Sequence, residues 1–257
     1  MLDILSPALA PWFVAALLNT LLLGVAWLAP KKLLTPAGYL HAWILGVLVW
    51  GCLGWRGYSV VMVYFLVGSS VTRIGMAQKE AAGIAEKRAG ARGPENVWGS
   101  ALVGAICALG VGVLSVTAPD RAATAIPLLT LAYVASFSTK LSDTTASEVG
   151  KVYGKRTFLI TTLQPVPPGT EGAVSLEGTL AGVVGSAVMA GVAWAMGLIS
   201  PLGIGVCLIA AFVATNAESV IGATLQARWG WLTNEMVNIL NTAIGAIAAA
   251  AIARWLL

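Results

Sequence analysis

A polytopic all-α transmembrane bundle is the fold class this sequence predicts, on three observations. Hydrophobic residues make up 58% of the 257 and charged residues only 10%, against about 45–50% and about 25% in soluble domains. The apolar residues fall in runs of roughly 15 to 25, and short intervening segments hold most of the charge, the pattern of successive bilayer-spanning helices. The 29 glycines would weaken helices in water, whereas in a bilayer small residues let helix backbones approach closely. A single integral-membrane domain over residues 1–257 follows.

Spans are predicted near 8–29, 37–54, 58–72, 97–118, 123–139, 174–199, 202–221 and 237–256, seven or eight passes depending on the short third one. Asp3 precedes the first run without a basic stretch, so that run is expected to stay as a helix and not to be a cleaved signal peptide. If all eight cross, one side collects Lys31, Lys32, the basic residues of 73–96 and 140–173, and Arg228, and the other only Arg56, Arg121 and Arg254. The positive-inside rule then puts the 73–96 and 140–173 loops in the cytoplasm and both termini outside. The net charge of +4 reads as topology, with no nucleic acid as partner. Cys52, Cys107 and Cys207 lie inside apolar runs without metal-ligand spacing, which argues against a disulfide framework or a zinc site.

The two long loops carry the chemistry. The first runs from Arg73 through Lys79 to Lys87, Arg88 and Arg92, and its middle suits a short amphipathic helix stopped by glycine. The second begins Lys140-Leu141-Ser142-Asp143 and later reads Pro165-Val166-Pro167-Pro168-Gly169-Thr170-Glu171-Gly172, where prolines break any helix and glycines permit close approach to a ligand. Asp143 and Glu148 are five apart, about 140° around a helix, so a regular helix does not converge them on one ion. The bland reading is that they neutralise Lys140 and Lys151.

Polar residues also stand where lipid is expected. Ser175, Gly178, Thr179, Gly182, Gly185 and Ser186 form a small-residue stripe at helical spacing, read as tight packing toward Gly182–Ser186. Nearer the loop, Gly169, Thr170, Gly172, Ser175 and Thr179 border a helix start whose N–H groups can receive an anion. An ionised Glu218 late in span seven must face protein or water, and Ala211, Ala214, Thr215 and Gly222 on its face leave room for a metal or ligand. Asn234, Asn238 and Asn241 share one face of span eight and point to a polar cavity, although interhelical hydrogen bonding explains a single such residue.

The one histidine, His41, is placed on the side away from these loops, leaving no base there for Ser-His-Asp or Cys-His chemistry. Gly150-Lys151-Val152-Tyr153-Gly154-Lys155-Arg156 fails as a P-loop, being one residue short with arginine at the Ser/Thr position. Basic residues, glycine-rich backbone, acids and asparagines on one side suit phosphoryl transfer, which rests on positioning and charge neutralisation. They equally suit an ion-coupled transporter with a midplane carboxylate.

Asp143-Thr144-Thr145-Ala146-Ser147-Glu148-Val149-Gly150 and the block from Pro168-Gly169-Thr170-Glu171-Gly172 to Gly182 resemble signatures of the integral-membrane family containing the plant chloroplast phytyl-phosphate kinase. Glu218-Ser219-Val220-Ile221-Gly222-Ala223, the Asn234–Thr242 stretch and Arg73-Ile74-Gly75 with Glu86-Lys87-Arg88 and Arg92 to Asn96-Val97 are similar to its other blocks, so the likeness runs from about residue 68 to the C-terminus. The resemblance implies an isoprenoid monophosphate kinase: phytyl or another prenyl monophosphate plus a nucleoside triphosphate, CTP or another, gives the diphosphate for tocopherol or related prenyl-lipid synthesis. Placed on this chain, it makes Asp143, Glu148 and Glu218 the candidates to hold Mg2+. Arg73, Lys79, Lys87, Arg88 and Arg92 would neutralise phosphate, and Asn96, Asn234, Asn238 and Asn241 would orient phosphate, base or metal-bound water. The prenyl tail would lie between helices, open to membrane lipid. A cytidylyltransferase joining CMP to a lipid phosphate uses the same two substrates and stays open as an alternative, as does the transporter.

Overall fold

The computed structural model describes residues 9–30, 32–226 and 228–256. The readings on Asp3, on the first span's start at residue 8 and on Lys31 lie outside the described residues, as do the side chains of Lys87 and Arg121. The long helices are α1 (Ala10–Leu28), α2 (Pro36–Thr72), α4 (Pro94–Thr117), α5 (Pro119–Tyr153), α6 (Leu176–Ala195), α7 (Pro201–Ile221) and α8 (Asn234–Leu256); α3 (Met76–Ala81) is one short turn and a half. Five of them open with proline in the first two positions, where its missing N–H costs nothing. Thr35, Ser175 and Ser200 cap α2, α6 and α7, each accepting the backbone N–H three residues on.

Seven of these helices are long and apolar enough to cross a membrane. The 37 residues of α2 would reach about 55 Å if straight, nearly twice a hydrocarbon core of about 30 Å. They do not run straight. Gly54 takes φ 63° and ψ −165°, a conformation open only to glycine, and the chain folds back on itself there. The two ends of α2 consequently meet: Arg73 Nη2 donates to the carbonyl of Lys32 at 3.3 Å. Gly38 and Gly68, thirty residues apart in sequence, both pack against Arg92. Each limb is about 27 Å long by helical rise. The predicted spans at 37–54 and 58–72 are the two limbs of this one helical element, one of seven long apolar helices among the described residues.

The 35-residue α5 is the axis of the bundle and packs on α2, α4, α6, α7 and α8. Every residue from Thr130 to Asp143 is buried, which is why the stretch has no apolar face of its own. Here the sequence expectation is corrected: span five was expected to end at 139 with a loop following, yet the helix continues to Tyr153. The switch to polar residues at Lys140 marks where α5 meets other polar helix faces, not where it leaves the bundle. The remaining connection, residues 154–175, carries an antiparallel ribbon of β1 (Thr157–Leu159) and β2 (Ala173–Ser175), with Pro165 bridged to Phe158.

With α2 reversed, the segments 32–35, 73–93, 154–175, 222–226 and 228–233 share one end of the bundle. The turns at Gly54 and at 196–200 share the other, where Arg56 approaches Gly197. The glycine stripe of α6 lies on α5: a Cβ at Gly178 would stand 2.6 Å from the Ala146 carbonyl oxygen, and one at Gly185 would stand 2.4 Å from Thr145 Oγ1. The packing reading of that stripe therefore holds, and it brings the start of α6 against the acidic part of α5.

Candidate functional site

A cleft of about 770 Å³ opens at the loop-bearing end, walled by the last turns of α5, the starts of α4, α6 and α8, the end of α7 and the 83–92 and 168–175 segments. On its α5 wall, Lys140 Nζ donates to Asp143 Oδ2 at 2.5 Å and to Asn238 Oδ1 of α8 at 2.7 Å. Glu218 of α7 faces the same carboxylate, and α7 is tied to α5 nearby by Thr215 and Ser142, 3.5 Å apart. One turn further along α5, Glu148 is gripped by two lysines. Lys151 reaches its Oε1 at 3.1 Å, and the wholly buried Lys79 of α3 bonds Oε2 and also the Thr72 carbonyl, the latter at 2.7 Å.

Arg92 enters from the opposite wall. Its main chain pairs with Leu33 and Thr35, both at 3.0 Å, and its Nη1 donates to Tyr64 Oη at 2.8 Å, with the guanidinium 5.0 Å from the centre of the Tyr64 ring. It is therefore a cation held by backbone, hydroxyl and aromatic face, with no carboxylate partner among the described residues. Arg88, more exposed, bonds Glu95 and also donates to Asn96 Oδ1 at 3.0 Å. Glu171 stands on the rim, still open to solvent on one side. Crowding by its surroundings raises its pKa above the usual glutamate range; Asp143 and Glu86 push the same way and Lys151 opposes them. Mild acidification thus takes negative charge off the rim before free glutamate would titrate.

Of the residues singled out by sequence, Asp143, Glu148, Glu218, Arg88, Arg92, Asn96, Gly169, Thr170, Gly172, Ser175, Thr179, Asn234 and Asn238 all border this cleft. Three others do not. Arg73 donates to the Lys32 carbonyl away from the cleft lining, Lys79 is buried behind the cleft wall against Glu148, and Asn241 is fully buried in the bundle, its carboxamide unpartnered among the described residues. The phosphate role of the first two is what the family resemblance implies for the basic residues of that loop, and the third shares its helical register with Asn234 and Asn238; a helix face is wide enough to serve both cleft and core. His41 is also corrected. It lies at the same end as the loops, where its Nδ1 accepts from Trp98 Nε1 at 2.8 Å, but it does not border the cleft. The reversal of α2 puts the start of that helix, and with it His41, at the loop end.

Sequence reasoning gave too little weight to Lys140 and Lys151 and did not single out Tyr64. The lysines carry a legible signal, since Lys140–Asp143 and Glu148–Lys151 are both three residues apart on a helix. Tyr64 sits inside an apolar run with no such signal. As for a metal, no group of three or more His, Cys, Asp or Glu side chains able to hold an ion forms among the described residues. The three carboxylates do not converge: Glu148 belongs to its lysines, while Asp143 and Glu218 face one another. A pair of that kind fits magnesium, which takes one or two carboxylates and fills its remaining positions with phosphate oxygens and water.

Seven long apolar helices among the described residues, with a charged, carboxylate-bearing cleft at one end, define a polytopic α-helical membrane protein. The chain belongs to the integral membrane protein DUF92 family, whose model matches residues 19–246. It is 64% identical to an uncharacterized membrane protein of Synechocystis sp., over 93% of this chain and 90% of that one. It is 43% identical to Protein VTE6, chloroplastic, of Arabidopsis thaliana, over 96% of this chain and 74% of the relative. A third relative, an uncharacterized membrane protein of Methanocaldococcus jannaschii, is 29% identical over 84% of each chain. No solved structure matches.

Proposed function

We propose that this protein is a prenyl monophosphate kinase that moves the γ-phosphoryl group of a nucleoside triphosphate, CTP or another, onto phytyl phosphate or a related isoprenoid phosphate. The observation that carries this reading is a cleft holding four basic side chains, Arg88, Arg92, Lys140 and Lys151, beside the Asp143–Glu218 pair, with no histidine on its described lining. The resemblance to the phytyl-phosphate kinase family and the 43% identity to a chloroplastic plant protein support the substrate class.

In the proposed reaction an oxygen of the prenyl phosphate attacks the γ-phosphorus, the bond from that phosphorus to the β–γ bridging oxygen breaks, and the nucleoside diphosphate leaves. A phosphate monoester is already mostly dianionic at neutral pH, with a second pKa of about 6, so no base has to take a proton from it. The obstacle is repulsion between two anions, and the cleft cations offset it. Arg92 is suited to hold a phosphate because its position is fixed by Tyr64 and its charge is not spent on a carboxylate. Asn234 and Asn238 are placed to orient nucleotide or phosphate from the α8 wall. Magnesium, held by Asp143 and Glu218 together with phosphate oxygens, would supply charge neutralisation.

The test is competition between phytol and phytyl phosphate at equal concentration with magnesium and a panel of labelled nucleotides. Diphosphate formed from phytyl phosphate, with little monophosphate from phytol, is the expected result. Monophosphate from phytol and no diphosphate from any prenyl phosphate would overturn the assignment. Release of pyrophosphate with CMP retained on the lipid would instead identify attack at the α-phosphorus, and flux into proteoliposomes without nucleotide turnover would identify a transporter.

The excess of basic residues at the cleft end leads us to place that end in the cytoplasm, where nucleotide is available, with both termini outside. Cysteines introduced at Ala91 and Thr157, both on the cleft wall, are expected to react with an impermeant reagent only once the membrane is opened. Labelling of both in intact cells would reverse the orientation.

A further inference from the structure

We infer that the cleft has a second, lateral mouth between α6 and α7, through which the hydrocarbon chain of a single-chain isoprenoid phosphate lies against the bilayer while its phosphate sits among the cations. This rests on the kinase reading and specifies how that site takes its lipid. The cleft does not stop at the bundle end. On α6 its lining reaches Val183 and Ser186, and on α7 it reaches Phe212. By helical rise those residues lie about 10–15 Å from the loop ends of their helices, close to the middle of a hydrocarbon core of about 30 Å. The composition of the wall changes around the cleft rather than along it. The charged lining residues stand on α4, α5, α8, the loops and the last turns of α7, whereas the α6 and mid-α7 side is Gly182, Val183, Ser186 and Phe212, with Gly182 level with Ser142 of α5.

Two of these residues border the outside as well. Val183 is 37% and Phe212 is 49% exposed. Val183 shares its helical face with the exposed Leu180, and Phe212 shares its face with the exposed Ile209. The same side chains therefore belong to the cleft wall and to the apolar surface that meets lipid. A groove that holds Arg92 without a carboxylate partner among the described residues at its head and opens sideways into hydrocarbon fits an amphiphile with one anionic group and one apolar chain. A free nucleotide would leave the apolar part unfilled. A water-soluble substrate would need no side opening at all.

The test uses crosslinking and therefore needs no turnover. A photoreactive benzoylphenylalanine is placed at Val183, at Phe212 or, as a lipid-facing control on α4 away from the cleft, at Ile106, which is 59% exposed. Each full-length protein in nanodiscs is irradiated with radiolabelled phytyl phosphate. Labelling several-fold stronger at Val183 and Phe212 than at Ile106, suppressed by unlabelled phytyl phosphate but not by phytol or by two-chain phosphatidic acid, is expected. Equal labelling at all three positions would mean bulk partitioning and would overturn the inference, as would equal suppression by phosphatidic acid. If the wild-type protein turns over phytyl phosphate while neither position labels specifically, the lateral mouth is rejected and the kinase reading stands. Specific labelling without turnover on any nucleotide rejects the kinase reading alone.

Discussion

Asp143→Asn and Glu218→Gln are each expected to lower turnover of prenyl phosphate by at least about a hundredfold, the scale on which single electrostatic groups at reacting charge act, while leaving a folded, detergent-extractable protein. The physical basis is that each change keeps side-chain volume and removes one negative charge. Asparagine at 143 still offers Lys140 an oxygen, and Asn238 holds the same ammonium at 2.7 Å, so the buried lysine keeps two neutral acceptors and the nearby Glu218. Glutamine at 218 leaves the Lys140–Asp143 pair intact. What disappears is the paired negative charge suited to a metal–nucleotide complex. Single-turnover rates and nucleotide affinity, measured beside thermal unfolding, check this. A variant with near-normal rate would show its carboxylate to be an ion-pair partner only, and a variant that unfolds would assign it to the architecture.

Hydropathy made the passes legible because lipid imposes a length and an apolar composition on every crossing helix. Even the short third span was visible, although its boundary with the second is a single glycine. What hydropathy could not show was that the two spans form one helical element, with Gly54 the single residue outside helical geometry between them. The extension of α5 was illegible for a different reason. Lys140 to Lys151 carries the charge of a loop, and only the tertiary packing reveals that this charge is answered by α3, α7 and α8 inside the bundle.

The site was legible in its residue types and less so in its geometry. Asp143, Glu218, Arg92 and Asn238 come from four separate segments, and each was conspicuous as a charged or amide group in or beside an apolar stretch. Burial decided the exceptions. Lys79 looks like its neighbours in the first loop, yet the turn of α3 carries it under the cleft, whereas Arg88 a few residues later stays at the mouth. Sequence spacing holds no information on which lysine of a loop will find a buried carboxylate some seventy residues away.

Glu148→Gln is expected to destabilise the folded protein by about 3–5 kcal/mol, the usual consequence of removing one partner from a buried ion pair, and to do so more than Lys79→Met. The asymmetry follows from who is left behind. Lys79 has no solvent exposure, and Glu148 is its one anionic partner among the described residues, so without that charge its ammonium keeps only the Thr72 carbonyl and a neutral amide. Glu148, by contrast, retains Lys151 at 3.1 Å when Lys79 is removed, and Lys151 is 19% exposed and keeps water on one side. The double substitution Lys79→Met with Glu148→Leu is expected to recover much of the loss, because an apolar pair removes both desolvation penalties at once. Unfolding of the purified protein in one detergent, followed for the three variants together, checks the order. If Glu148→Gln unfolds like the wild type yet loses turnover, Glu148 acts on substrate and the lysine clamp is incidental. If it unfolds early and the double variant is rescued, Glu148 is the bolt that fixes α3 and the first loop over the cleft.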